Sequence, residues 1–175
     1  MALTFAALVL AGGTAHAASI GVGAFGGMSF PILQDDADNG SLFGVRFPVH
    51  VVPLFAVEPY WASSSLGDKT VDLGGGLTVT RQGFDVKAYG VNAMLTTGGP
   101  VQFYPFVGIG SSKLSRTGTD QTLTTYDFGV GLGLSPIPKL SVQVRGELDA
   151  AVDNGASRKF ANVTVGASYA LISLP

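Results

Sequence analysis

The chain has 175 residues, about one domain's worth, of which 46% are hydrophobic and only 13% charged, with 25 glycines and no cysteine. This composition excludes disorder, which needs low hydrophobicity and high charge, and it excludes a disulfide scaffold or a cysteine-ligated metal site. A net charge of -2 argues against nucleic acid as a partner, because phosphate recognition needs clustered Lys and Arg.

Residues Met1 to Ala17 carry no charge, and Leu3 to Ala11 is an apolar stretch too short to span a bilayer. Ala15-His16-Ala17 fits the small-x-small cleavage rule, so residues 1–17 are expected to be a signal peptide and 18–175 the mature domain. Beyond this point no run of about 20 apolar residues occurs, so transmembrane helices do not explain the apolar composition.

The mature chain instead alternates apolar and non-apolar residues with a period of two, the signature of strands. Eight such segments are predicted, at 18–30, 41–51, 54–65, 82–97, 101–115, 122–134, 139–150 and 158–173. In the sixth, Tyr126, Phe128, Val130, Leu132 and Leu134 oppose Asp127, Gly129, Gly131 and Gly133. In the seventh, Leu140, Val142, Val144 and Leu148 oppose Ser141, Gln143, Arg145, Glu147 and Asp149. The fourth changes parity, with Phe84, Val86 and Ala88 against Tyr89, Val91, Ala93 and Leu95, and a bulge near Gly90 is expected to reconcile the two.

Connections alternate in length. Val52-Pro53, Gly98-Gly99-Pro100 and Ser135-Pro136-Ile137-Pro138 are short turns, whereas 31–40, 66–81, 116–121 and 151–157 are longer and more polar. The third of these eight segments is linked to the fourth through Val71, Leu73, Leu77 and Val79 around Gly74-Gly75-Gly76, a pattern that predicts a projecting hairpin. Short turns at one end and long loops at the other are the asymmetry of outer-membrane barrels, and an all-β, eight-stranded antiparallel up-and-down transmembrane barrel is expected. Alternation alone does not choose between an apolar face toward lipid and one buried inside a soluble barrel, and that choice rests on the non-apolar face.

The non-apolar face carries Gly21, Gly23, Gly27, Gly108, Gly110, Gly129, Gly131, Gly133 and Gly166. Glycine weakens a strand unless crowding demands it, and an eight-strand barrel has just enough interior for side chains to fill. Arg46, Glu58, Asp85, Lys87, Asp127, Arg145 and Glu147 fall within strands with nearly balanced signs, and a lumenal network of ion pairs is expected from them. Phe55, Phe103 and Tyr169 near one end, and Trp61 and Tyr126 near the other, fit interfacial girdles.

Several stretches carry a resemblance: 20–27 (Ile20-Gly21-Val22-Gly23-Ala24-Phe25-Gly26-Gly27), Val57-Glu58-Pro59-Tyr60-Trp61, 104–110 (Tyr104-Pro105-Phe106-Val107-Gly108-Ile109-Gly110), Val144-Arg145-Gly146-Glu147-Leu148 and the last strand. In order and spacing the mature chain resembles the eight-stranded outer-membrane β-barrel family of Gram-negative bacteria, the OmpA-type transmembrane domain and its OmpX-like relatives. The resemblance implies an integral protein of the cell outer membrane with structural, adhesive or small-solute roles. Lipid, lipopolysaccharide and the barrel-assembly machinery are its implied partners, and closure without an edge strand favours a monomer. No peptidoglycan-binding domain is expected after the barrel. One departure is the end, Leu171-Ile172-Ser173-Leu174-Pro175, where such barrels usually finish on an aromatic residue that assists assembly.

Motifs for chemistry are sparse, and neither an enzyme nor a cofactor is expected. His50 is the one histidine after residue 17, and no Gly-x-Ser-x-Gly elbow occurs. Gly21 to Gly26 spells G-x-G-x-x-G without the strand before it and helix after it that dinucleotide binding needs. Asp35-Asp36-Ala37-Asp38-Asn39-Gly40 resembles a calcium loop, but Ala37 stands at a ligand position and Arg46 where Glu belongs. Lys113 and Arg116, at the outer end of the fifth segment, are candidates for lipopolysaccharide phosphates or for plain solvation. The leading expectation is a structural or surface-interaction role. The alternatives are a narrow channel or carrier for small solutes, a lipid-modifying envelope enzyme, and a soluble periplasmic ligand-binding barrel.

Overall fold

The computed structural model describes residues 18–32, 37–97, 99–153 and 156–174. The expected signal peptide, 1–17, lies outside the described residues, as do Asp35 and Asp36 of the calcium-like loop. The strands are β1 (Ala18–Ile32), β2 (Gly40–Arg46), β3 (Val49–Val52), β4 (Phe55–Leu66), β5 (Lys69–Asp72), β6 (Thr78–Arg81), β7 (Asp85–Leu95), β8 (Val101–Arg116), β9 (Thr119–Ile137), β10 (Leu140–Asp153) and β11 (Ala156–Leu174).

The strands close into a ring. The order β11-β10-β9-β8-β7-β4-β2-β1 is completed by the antiparallel pairing of β1 with β11, Ala18 facing Leu174 and Ile32 facing Lys159. β2 and β3 act as one stave, interrupted at Phe47-Pro48 where proline offers no N–H to the ladder. The interruption is bridged by Phe47 N–H to the Pro59 carbonyl and Gly21 N–H to the Pro48 carbonyl, both 2.9 Å. The ring therefore has eight staves, and β5 and β6 form a separate two-stranded ribbon.

Alternation places the apolar residues outside. Val107, Ile109, Phe128, Val130, Leu132, Val144, Val163 and Val165 are all exposed. Phe103 and Tyr169 mark the short-turn end of this band, and Trp61, Tyr89 and Tyr126 mark the other. From Tyr126 to Leu134 the outward residues of β9 cover about 27 Å along the strand, or about 20 Å vertically at a typical barrel tilt, close to the height of a hydrocarbon band. Phe43 and Trp61 meet edge to face across β2 and β4, ring centroids 5.9 Å apart.

Two sequence expectations are corrected. No bulge occurs at Gly90, because β7 keeps unbroken register with β4 and β8 from Asp85 to Met94. Even-numbered residues of β7 face inward throughout, and Phe84 and Val86 are buried in an apolar cluster at the long-loop end. The parity change is therefore a change in what fills the lumen. The expected loop at 116–121 is also mostly strand: β8 and β9 pair out to Arg116 and Thr119, leaving a Thr117-Gly118 turn with Gly118 at φ 80°. Thr119, Thr122, Thr124 and Thr125 suit a pleated ribbon that continues past the apolar band.

Candidate functional site: the closed lumen

The inward residues fall into three layers. At the short-turn end Ala56, Met94, Tyr104 and Phe106 form a buried apolar cluster. At the long-loop end Ala37, Leu66, Phe84, Val86, Leu114, Leu123, Ala151 and Phe160 form another. Between them lies a polar layer, with Arg46, Glu58, Asn92, Asp127, Gln143, Arg145 and Asn162 all buried.

Glu58 and Arg145 centre the polar layer. Arg145 Nη1 and Nη2 donate to Glu58 Oε1 and Oε2 at 2.5 and 2.7 Å, a bidentate pair with side chains only 3% and 1% exposed. Gln143 Oε1 accepts from Arg145 Nη2 (2.9 Å) and from the Tyr104 hydroxyl (2.6 Å), so the guanidinium is held on two sides. The ring of Tyr104 lies beneath it at 5.0 Å. Arg46 takes a different partner, stacking 4.0 Å over the Phe25 ring.

Glycine makes this packing possible. Across three neighbouring strands Tyr104 faces Gly131, which faces Arg145. A Cβ on Gly131 would collide with the Tyr104 ring, so the glycine is the floor over which the ring reaches the guanidinium. Phe106, Gly129 and Glu147 repeat the arrangement one step further along. Replacing Gly131 by Val is expected to destabilise the barrel by about 1–3 kcal/mol through overpacking. Urea titration of the folded fraction measures it, and Gly133→Val, where neighbours stand at 3.5 Å or more, is the milder control.

A carboxylate group lies beyond the ion pair. The Tyr60 hydroxyl donates to Asp127. Asn162 Nδ2 donates to both Glu147 Oε1 (3.1 Å) and Asp149 Oδ2 (2.6 Å). Ser112 and Thr125 share a hydrogen bond of 2.6 Å nearby. A cavity of about 40 Å³, room for a few waters, is lined by Tyr60, Asp127, Glu147 and Asn162 among others.

Of the seven strand charges expected in the lumen, Arg46, Glu58, Asp127, Arg145 and Glu147 line it. Asp85 and Lys87 do not, which corrects that expectation: both are exposed on the outer face, beyond Tyr89 on the same side of β7. The sequence assigned them by contrast with Phe84 and Val86, but here the apolar residues are the inward ones. Asp149 joins the lumen instead, so the near balance of signs gives way to four carboxyl groups against two guanidinium groups in the polar layer. Tyr60, Asn92, Tyr104, Gln143 and Asn162 were not singled out as lumenal partners, although Tyr60 shares strand and parity with Glu58, Gln143 with Arg145, and Tyr104 with the glycines Gly108 and Gly110. His50 sits at the short-turn end, its Nδ1 3.1 Å from Ser19 Oγ. Lys113 faces outward and pairs with Asp120 at 2.6 Å, both exposed, and that contact holds the Asp120 carboxyl below its ordinary range. Arg116 turns inward to Phe84, 5.4 Å from the ring.

A small closed antiparallel ring of eight staves, apolar on its outer wall with a polar layer at mid-lumen, is the fold of the eight-stranded outer-membrane β-barrels. Solved structures of that class match it over 88–89% of its length. The chain is similar to Ail, the attachment invasion locus protein of Yersinia pestis, with 20% identity and a TM-score of 0.52 over 88% of this chain and 97% of that one. It is similar to the N-terminal β-barrel domain of Pseudomonas aeruginosa OprF, with 14% identity and a TM-score of 0.54 over 89% and 100%. It is similar to Neisserial surface protein A, with 11% identity and a TM-score of 0.61 over 89% and 97%. No protein-family model matches the chain, and no curated protein matches its sequence.

Proposed function

We propose that the chain is an integral protein of the cell outer membrane with a structural or surface-interaction role and no catalytic activity. The observation that carries this reading is the lumen itself. Two apolar layers and the Glu58–Arg145 pair fill the cross-section between them, and the cavity of about 40 Å³ beside the pair has room for only a few waters. A barrel filled in this way is a scaffold for what stands above the membrane: the β5–β6 ribbon and the outer ends of β8 to β11.

In this reading lipid and lipopolysaccharide cover the apolar wall, the barrel-assembly machinery inserts it, and the closed ring functions as a monomer. Planar-bilayer recording of the refolded protein is the test, and no discrete conductance steps above background are expected. Regular steps would overturn the sealed scaffold in favour of a narrow channel or carrier. An envelope enzyme is disfavoured by position, since His50 and Ser19 lie at the end opposite the surface ribbon. A soluble ligand-binding barrel is disfavoured by the exposed apolar wall, which is far larger than the apolar patches soluble monomers tolerate.

A further inference from the structure

The lumen holds more acid than base, and the excess gathers at one level. Glu58 faces Asn92, Asn92 faces Gly108, Gly108 faces Asp127 and Asp127 faces Asp149, one row across β4, β7, β8, β9 and β10. Glu58 is answered by Arg145. Asp127 and Asp149 stand directly opposite each other, where like charges repel. Glu147, one step nearer the short-turn end of β10, adds a further carboxyl group to the same cavity. Among the described residues lining that cavity, Arg46 is the other cation. With every group ionised, four acids (Glu58, Asp127, Glu147, Asp149) meet two guanidinium groups (Arg46, Arg145), and two negative charges remain.

The oxygens at this level lack donors. The Tyr60 hydroxyl occupies Asp127 Oδ2 and Asn162 Nδ2 occupies Asp149 Oδ2, which leaves Oδ1 of each aspartate buried without a partner. Asn92 Oδ1 and Asn162 Oδ1 are also buried without partners, and both residues are only 4% exposed and line the cavity. The Asn162 amide cannot be turned over to cure this, because its Nδ2 already serves Glu147 and Asp149. Asn92 Oδ1 leans over Gly108 toward Asp127: a Cβ on that glycine would collide with Asn92 Oδ1 and stand 3.0 Å from Asp127 Oδ2. Four buried acceptors without a donor are costly. Carboxylate and amide oxygens together are also the ligand set of a hard cation. Arg46 does not fill that role. Its guanidinium is held 4.0 Å over the Phe25 ring, and its own Nε and Nη1 have no partner.

We propose that Asp127 and Asp149, with the amide oxygens of Asn92 and Asn162, bind one divalent cation of the calcium class inside the barrel, water completing its shell. The inference goes beyond the scaffold reading and does not depend on what the surface loops contact. A cavity of about 40 Å³ has room for an ion and a few waters. A divalent charge cancels the excess of two. Calcium accepts about six to eight oxygens in flexible geometry, which suits two carboxylates and two amides on four different strands, whereas magnesium gives up its water reluctantly. Apolar layers close the lumen on both sides, so the ion is taken up as the barrel folds, and its binding appears as folding stability.

Equilibrium urea titration of the refolded protein in phosphatidylcholine vesicles, whose headgroups carry no net charge, tests this. At fixed urea and ionic strength the ratio of folded to unfolded protein is expected to rise about tenfold for each tenfold rise in free calcium above the binding midpoint, as one site on the folded state requires. Asp149→Asn is expected to abolish that dependence. In chelator the same variant is expected to fold as well as the parent or better, because it removes the facing charge and keeps an oxygen for Asn162. Asn92→Leu is expected to move the calcium midpoint upward by roughly tenfold or more. Asp35→Asn with Asp36→Asn, in the calcium-like loop, is expected to leave the dependence intact. The proposal is overturned if the parent ignores calcium, if magnesium or sodium chloride stabilises it equally, or if Asp149→Asn still responds as the parent does. Stability that ignores calcium and rises as pH falls overturns it in favour of protons on Asp127 and Asp149.

Discussion

Replacing Glu58 by Ala is expected to destabilise the barrel by about 3–5 kcal/mol, because it strands a buried guanidinium without its carboxylate. Arg145 is 4% exposed and surrounded by Tyr104, Phe106, Met94 and Gln143, with Gln143 Oε1 already shared with Tyr104. None of these four side chains supplies a negative charge, and Glu147, two residues along β10 on the same face, accepts from Asn162 instead. Removing both partners is a different experiment. Glu58→Leu with Arg145→Met keeps volume, deletes both desolvation penalties, and is expected to recover most of the loss or to exceed the parent. Urea titrations of the folded fraction in lipid vesicles give both values. A loss below about 1 kcal/mol for the single variant would mean the pair behaves as an exposed one does, and the sealed lumen would then have to be abandoned.

The wall was legible because each of its strands faces two unlike environments, and a period of two reports that directly. Leu132 beside Gly131 and Gly133, or Val144 beside Gln143 and Arg145, leaves no ambiguity about facing. The lumen was legible only where it is polar. Near its outer end the interior turns apolar at Phe84, Val86, Leu114 and Phe160. There the polarity rule inverts, which is why Asp85 and Lys87 were expected inside. Partners across the lumen were not legible either. Glu58 and Arg145 are 87 residues apart in sequence, and their pairing depends on ring closure and on Gly131 letting Tyr104 lie beneath the guanidinium. The glycine pattern signalled crowding without naming what crowds. The ribbon was visible as alternation around Gly74-Gly75-Gly76, but its unbroken register with β4 and β7 is a property of the pairing and emerges only from the structure.

Val107→Arg puts the outward face to its hardest test. Val107 is 63% exposed and lies four residues from Phe103 on one side and four from Ser111 on the other, near the middle of the apolar band. In a bilayer an arginine there is expected to cost about 2–4 kcal/mol, and one placed at Ser111, beside the outer aromatic residues, about 0–1 kcal/mol. Water around the same wall would predict another pattern. Both substitutions would fall within about 0.5 kcal/mol of the parent, as exposed replacements usually do. The comparison needs no assumption about the lumen, since Val107 and Ser111 both point away from it. Folding titrations of the two variants in vesicles therefore separate the direction of the faces from the contents of the interior. A depth-dependent penalty places lipid against the wall, while two flat results would turn the barrel inside out and make its apolar surface the contact for another protein.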